Sequence, residues 1–228
     1  GDYKTIEKIL QENATWVDST ISGTATPLII ASYYGNDSIV RLLLDYNADI
    51  NYQIPNSGNS LQYALFRNQL STIQLLIDKG IDVNNPGRNK QTALHTALSR
   101  RAYKVCGALM AANCNINAQY ANGNTALHYS IENNLDSISN VLINAGADLK
   151  ILNNNKKSVL FLAIENNNHD LVDLLQQKGS ELPQDKEKMN ELLQFAVKNN
   201  FQAIAVELLE NGAELSGIDS KGRNLLHL

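Results

Sequence analysis

Four histidines, two cysteines and a scatter of carboxylates are the residues of this chain that could do chemistry. An imidazole can act as a general base or bind a metal, so His95, His128 and His227 come first. Metal binding and catalysis need side chains that converge on one point. These three stand whole multiples of a single interval apart, one to a repeating unit, and make no ligand cluster. His169 falls in the turn leading into a helix and is expected to be solvated. Cys106 and Cys114 form no Cys-x-x-Cys pair, and the repeat register puts each where a small buried residue belongs. Two reduced core thiols are expected. Asp136, Asp170 and Glu207 fall on outward-facing helices and read as solvated. There is no glycine-rich phosphate loop and no Gly-x-Ser-x-Gly. The sequence therefore reads as non-enzymatic, with no catalytic residue, metal or cofactor.

The elements that position these residues follow from one period. Leu28, Leu61, Leu94, Leu127, Leu160, Leu193 and Leu226 recur at one constant interval, that from Leu28 to Leu61, without a slip. Three residues after each of the first six comes a small residue: Ala31, Ala64, Ala97, Ser130, Ala163 and Ala196. A second ladder runs through Leu43, Leu76, Leu109, Leu142, Leu175 and Leu208. A strict period of this length means stacked units, each a helix pair that cannot bury its apolar face alone. Two more ladders carry residues that tolerate positive φ. Gly35, Asn68, Arg101, Asn134, Asn167 and Asn200 mark the turn inside each pair, and Arg101 is expected to be strained or differently built. Asn47, Gly80, Asn113, Gly146, Gly179 and Gly212 mark the end of each second helix.

Composition agrees. Hydrophobic residues make up 43% and aromatics only 6%, which suits many thin layers of Leu, Ile and Ala. The net charge of −4 and pI near 5.6 argue against nucleic acid as the main ligand. No run approaches the ~20 apolar residues of a membrane span, and no signal peptide is visible. The expectation is an intracellular, cytoplasmic or nuclear, monomer.

Thr26-Pro27-Leu28, Thr92-Ala93-Leu94-His95 and Gly123-Asn124-Thr125-Ala126-Leu127-His128, with Gly146-Ala147-Asp148 at a unit's end, resemble the ankyrin repeat. The resemblance covers nearly the whole chain. It implies an all-α solenoid of helix-turn-helix pairs with projecting turn or hairpin fingers. The boundaries it suggests are a partial unit at 1–21, repeats at 22–51, 52–84, 85–117, 118–150, 151–183 and 184–216, and a truncated unit at 217–228. It implies that His95, His128 and His227 bond backbone in a neighbouring finger. Asn51, Asn84 and Asn117 match a position that asparaginyl hydroxylases modify in some ankyrin proteins; holding the turn already explains them.

The sequence also departs from the pattern. Ser57, Lys90 and Lys156 replace the finger glycine kept at Gly123 and Gly222, so those fingers should be less regular. Trp16 and Val17 are expected to pack into the first layer. Leu182-Pro183-Gln184-Asp185-Lys186-Glu187-Lys188 replaces a finger signature. A distorted finger or a longer helix capped by Asp185 is expected there.

The resemblance implies protein–protein recognition, as scaffold, adaptor or targeting module, through a concave face of finger tips and first helices. A second reading is the substrate-recruiting part of a larger enzyme or ubiquitin-ligase adaptor, such as a pathogen effector, with its active segment outside this chain. In register the face takes Ser22, Gly23, Ala25, Tyr33 and Tyr34, then Pro55, Asn56, Gly58, Phe66 and Arg67, then Arg88, Asn89, Gln91, Ser99 and Arg100. It continues through Ala121, Asn122, Asn124, Glu132 and Asn133 to Asn154, Lys157, Glu165, Lys188, Lys198 and Arg223. Tyr33, Tyr34, Phe66, Arg67, Arg88 and Arg100 stand out as partner-binding candidates, because aromatics and arginines dominate interface hot spots. The expected partner is a protein segment with acidic groups beside an apolar anchor.

Overall fold

The computed structural model of the chain describes residues 3–20 and 24–214. These form thirteen α-helices, with an isolated antiparallel bridge between Ile54 and Gly58. The chain divides into two compact units, Gly1–Ala121 and Asn122–Leu228.

The first unit holds α1 (Tyr3–Glu12), α2 (Pro27–Tyr34), α3 (Asp37–Asp45), α4 (Ser60–Phe66), α5 (Leu70–Asp78), α6 (Ala93–Ser99) and α7 (Tyr103–Ala111). Three antiparallel pairs result: α2 with α3, α4 with α5 and α6 with α7. First helices stack α2 on α4 on α6, and second helices stack α1, α3, α5 and α7 in turn. Local chemistry starts each first helix. Thr26 and Thr92 accept a backbone N–H three residues on at 3.5 Å, Asn59 does so at 3.3 Å, and Pro27 takes the first turn. Such a cap satisfies one of the four free N–H groups of the turn, worth about 1 kcal/mol.

The leucine ladders are the core. Leu28, Leu61, Leu94, Leu43, Leu76 and Leu109 are all buried, as are Ala31, Ala64 and Ala97 between the paired helices. Each buried leucine contributes roughly 1.5–3 kcal/mol of transfer free energy. The turns close as the ladders require, with Gly35, Asn68 and Arg101 inside the pairs and Asn47, Gly80 and Asn113 at the ends, all at positive φ. Arg101, at φ 56°, adopts the same left-handed turn as Asn68 at 57°; it is not differently built. Trp16 departs from expectation. It lies in a 3-10 turn over Ala14–Asp18 and is 56% exposed, while its neighbour Val17 is buried. On α1, Leu10 is buried but Ile9 stays exposed.

Side-chain amides and carboxylates staple successive units. Asp18, Asn51 and Asn84 accept the backbone N–H of Asp49, Asp82 and Asn115 at 3.0, 2.8 and 2.6 Å. Asp49, Asp82 and Asn115 each also accept the N–H two residues on, fixing the turn that the staple grips. The fingers at Ser57 and Lys90 are irregular: Asn56 and Gly58 take positive φ on either side of the serine, and Asn89 takes φ 56° directly before Lys90. Lys90 and Lys156 themselves adopt φ 62° and 56°, near the 77° of Gly123 in that register.

The second unit holds α8 (Ala126–Glu132), α9 (Asp136–Asn144), α10 (Val159–Glu165), α11 (His169–Gln177), α12 (Lys186–Lys198) and α13 (Gln202–Glu210). Its first helices stack α8 on α10 on α12. Leu127, Leu160, Leu193, Leu142, Leu175 and Leu208 are buried. Asn134, Asn167 and Asn200, with Gly146, Gly179 and Gly212, take positive φ. The irregular junction is resolved as a longer helix. Asp185 caps α12, accepting the Lys188 N–H at 3.1 Å, and the helix runs 13 residues against 7 for α8 and α10. Gly123 has no alternative, since a Cβ there would lie 2.5 Å from the Asn154 backbone nitrogen. Ser22, Gly23, Arg223, His227, the last leucine of the ladder and the partial unit at 217–228 lie outside the described residues.

Candidate recognition site

His95 and His128 are structural. His128 is buried, bonds the Thr125 hydroxyl through Nδ1 at 2.8 Å and reaches the Lys157 carbonyl through Nε2 at 3.2 Å. That is the finger contact its register implied. Burial holds its pKa below the ordinary value, against the backbone carbonyls of Lys157 and Ile151. His95 makes the same 2.8 Å contact with Thr92 and lies against the Tyr120 ring. His169 opens α11, exposed yet stacked on Phe201 at 4.1 Å, so solvation alone does not describe it. Cys106 is buried and Cys114 half-buried, both as free thiols. Burial pushes them up to about 12 and about 11, far from the thiolate that reacts or binds metal. Among the described residues no group of three or more His, Cys, Asp or Glu is placed to hold a metal ion. No described helix is long and apolar enough to cross a membrane.

In the first unit the aromatic and arginine candidates come together. Tyr33 meets Tyr34 edge-on at 5.1 Å and stacks on Phe66 at 6.5 Å between ring centres. Arg67 lies 5.0 Å over the Tyr33 ring, and Arg100 lies 4.7 Å over Phe66. Both arginines are C-caps, of α4 and α6, so each helix end delivers its guanidinium onto the aromatic of the preceding first helix, α2 or α4. Tyr34 is 63% exposed and Phe66 56%, a surface no internal packing consumes. Tyr33 is half-buried and joins the cluster to the layer beneath. Arg88 projects from the next finger and lines a groove of about 350 Å³ with Tyr33, Tyr63, Phe66 and Gln91.

Sequence reasoning missed Tyr63, Gln62 and Thr96. The register took only the last two residues of each first helix, and these lie one helical turn earlier. Tyr63 packs 6.3 Å from Tyr33 and bonds the Ser57 hydroxyl at 2.8 Å. Thr96 donates to the Gln62 side-chain oxygen at 3.3 Å. The signal was present only in part: the same register reads Ile30, Thr96, Tyr129, Leu162 and Phe195, so an aromatic at Tyr63 is not singled out by it. Pro55, Asn56, Asn89 and Ser99 are exposed as expected, whereas Gly58 is buried against Gln62.

The corresponding residues of the second unit form a network of their own. Lys157 bonds Glu165 at 2.8 Å and pairs with Glu191 at 3.3 Å, while Lys188 reaches Glu191 at 2.5 Å. The Lys157 ammonium also lies 4.8 Å from the Phe161 ring centre and 5.9 Å from that of Phe195. Its side chain is only 15% exposed. Burial opposes its charge, yet the Glu165 hydrogen bond and the two carboxylates outweigh burial and raise its pKa. Glu191 answers in kind: burial would raise it, but Lys188 and Lys157 hold it below the usual carboxylate range. Glu132 accepts from the Asn124 amide at 2.6 Å and is raised, chiefly by burial. Asn124, expected at the surface, is buried, because its side-chain oxygen also accepts from Asn153 at 3.0 Å.

A family model described as ankyrin repeats (3 copies) matches residues 1–87, 61–153, 102–186 and 136–219. The chain belongs to the ankyrin-repeat family. Ankyrin repeats serve in general as protein–protein interaction modules and are typically non-enzymatic. A search of curated proteins found no match. In ankyrin terms, the aromatic cluster sits where first helices and fingers of neighbouring repeats meet.

Proposed function

We propose that this ankyrin chain is a protein-recognition module whose partner docks on the face built by Tyr33, Tyr34, Phe66, Arg67, Arg88 and Arg100. It acts as scaffold, adaptor or targeting element by presenting a preformed surface. The observation that carries this reading is the cluster itself: the largely exposed rings of Tyr34 and Phe66, with one guanidinium stacked on Phe66 and another on the adjoining Tyr33. A rigid face loses little ordering entropy on binding, and truncating one such anchor typically costs ~2 kcal/mol or more. The buried thiols favour an intracellular setting, cytoplasmic or nuclear, and the module works as a monomer.

Affinity capture from a lysate tests the reading, with the parent chain beside a Tyr33→Ala, Tyr34→Ala, Phe66→Ala, Arg67→Ala variant. A protein retained only by the parent supports this face. The same set retained by both would sink it and move attention to the groove lined by Leu152, Leu182, Pro183 and Asp185. Sedimentation over a range of concentrations checks the monomer.

A further inference from the structure

We infer that the groove of the first unit takes an acidic peptide segment carrying one large apolar side chain, with the carboxylates on Arg67, Arg88 and Arg100. This rests on the recognition reading above and names the chemistry of its partner. Three observations converge on it.

The first is charge. Although the chain is net −4, residues 67–104 hold Arg67, Lys79, Arg88, Lys90, Arg100, Arg101 and Lys104 against only Asp78 and Asp82. None of Arg67, Arg88 and Arg100 pairs with a carboxylate among the described residues. Their guanidinium forks keep donors for a planar, two-oxygen acceptor.

The second is shape. The groove of about 350 Å³ has Tyr33, Tyr63 and Phe66 for walls and Gln62, Gln91 and Thr96 for polar lining. It lies at the low end of the ~300–1,000 Å³ of ligand pockets, room for a side chain rather than a folded surface. Phe66 is 56% exposed at its rim, so an entering apolar group removes aromatic area from water.

The third is contrast. At the corresponding face of the second unit, Lys157 and Lys188 are neutralised by Glu165 and Glu191. A ligand carboxylate there would have to displace an internal partner. At the first unit no described carboxylate is paired with Arg67, Arg88 or Arg100.

Fluorescence anisotropy on the full chain tests this with a synthetic library of short labelled peptides, each a phenylalanine flanked by Asp and Glu. Two matched libraries replace the phenylalanine by alanine, or the acids by lysine. The protein arms are the parent and an Arg67→Gln, Arg88→Gln, Arg100→Gln variant, whose fold is checked by its thermal transition. The expected result is binding of acidic phenylalanine peptides by the parent. It should weaken at least about tenfold with either library change or with the variant, and fall with added salt. Equal binding of lysine or alanine peptides, or equal binding by the variant, would overturn the inference. So would failure of acidic phenylalanine peptides to bind at all. If a lysate protein is still captured through Tyr33, Tyr34, Phe66 and Arg67 but these peptides do not displace it, recognition stands and the acidic class is wrong. If capture never depended on those residues, the recognition reading has failed instead.

Discussion

Arg100 places its guanidinium 4.7 Å from the centre of the Phe66 ring, and Arg67 does the same to Tyr33 at 5.0 Å. The two pairs are one motif repeated, since each arginine directly follows the position that matches its aromatic in the next repeat. The next step of the register reads Ser99 and Asn133, so the motif stops there. A double-mutant cycle on Phe66→Ala and Arg100→Gln, read by urea unfolding, should give a coupling of about 0.5–1 kcal/mol. Additive single effects would mean that the stacked pair contributes nothing to the fold.

Arg101 makes a second, opposite case. At φ 56° it adopts a conformation that costs an L-residue roughly 1–2 kcal/mol, and its side chain is exposed. Asn or Gly occupies the same turn in every other pair. Arg101→Gly should therefore stabilise the chain by about 0.5–1 kcal/mol, the relief being partly offset by the greater freedom of glycine when unfolded. A lower urea midpoint for the variant would refute the strain.

Register makes a third prediction. Leu127 is 1% exposed in the first turn of α8, whereas Asn155 is exposed in a finger. Leu127→Ala should cost ~2–5 kcal/mol, and Asn155→Ala should stay within about 0.5 kcal/mol of the parent. Equal effects in urea unfolding would contradict the layer assignment.

These cases show what the sequence could reveal. A single unbroken period with leucines fixed in phase dictates which side chains share a layer, so Leu127, Ala97 and the turn at Asn134 were legible without coordinates. Exposure at the irregular margins was not. Trp16 and Val17 are adjacent and apolar, and only the 3-10 turn decides that Val17 faces in and Trp16 out. At the site, Tyr33, Phe66, Arg67 and Arg100 were legible as one face because register brings them together. That each arginine stacks on a ring, while Lys157 is locked between carboxylates, depends on rotamers that spacing does not encode. Asn124 went astray for the same reason. Its amide is drawn inward by Asn153 and Glu132, partners that no periodic pattern announces.

The thiols supply a fourth prediction. Cys106 and Cys114 are held at about 12 and about 11 by burial, so near neutral pH both stay protonated. The thiolate is the reactive form, and a thiol reagent should therefore label the native chain slowly and the urea-unfolded chain fast. Rapid labelling of two thiols under native conditions would contradict their burial.

His128 gives the fifth, and its sign is fixed. The buried imidazole titrates below the ordinary value of 6.5, so the unfolded chain binds its proton more readily than the folded one. Stability from this residue is complete above about pH 6.5 and is lost as pH falls towards the folded pKa. The loss is structural, because a second proton on the ring would turn one of its contacts, to Thr125 or Lys157, into a charged donor in a buried site. Urea midpoints measured from neutral to mildly acidic pH should fall, and His128→Asn should flatten that fall while lowering stability at neutral pH. A parent curve and a variant curve that run parallel would assign the acid sensitivity to other groups, such as Glu191. Its depressed pKa is likewise lost as a source of stability on acidification, but only in the carboxylate range.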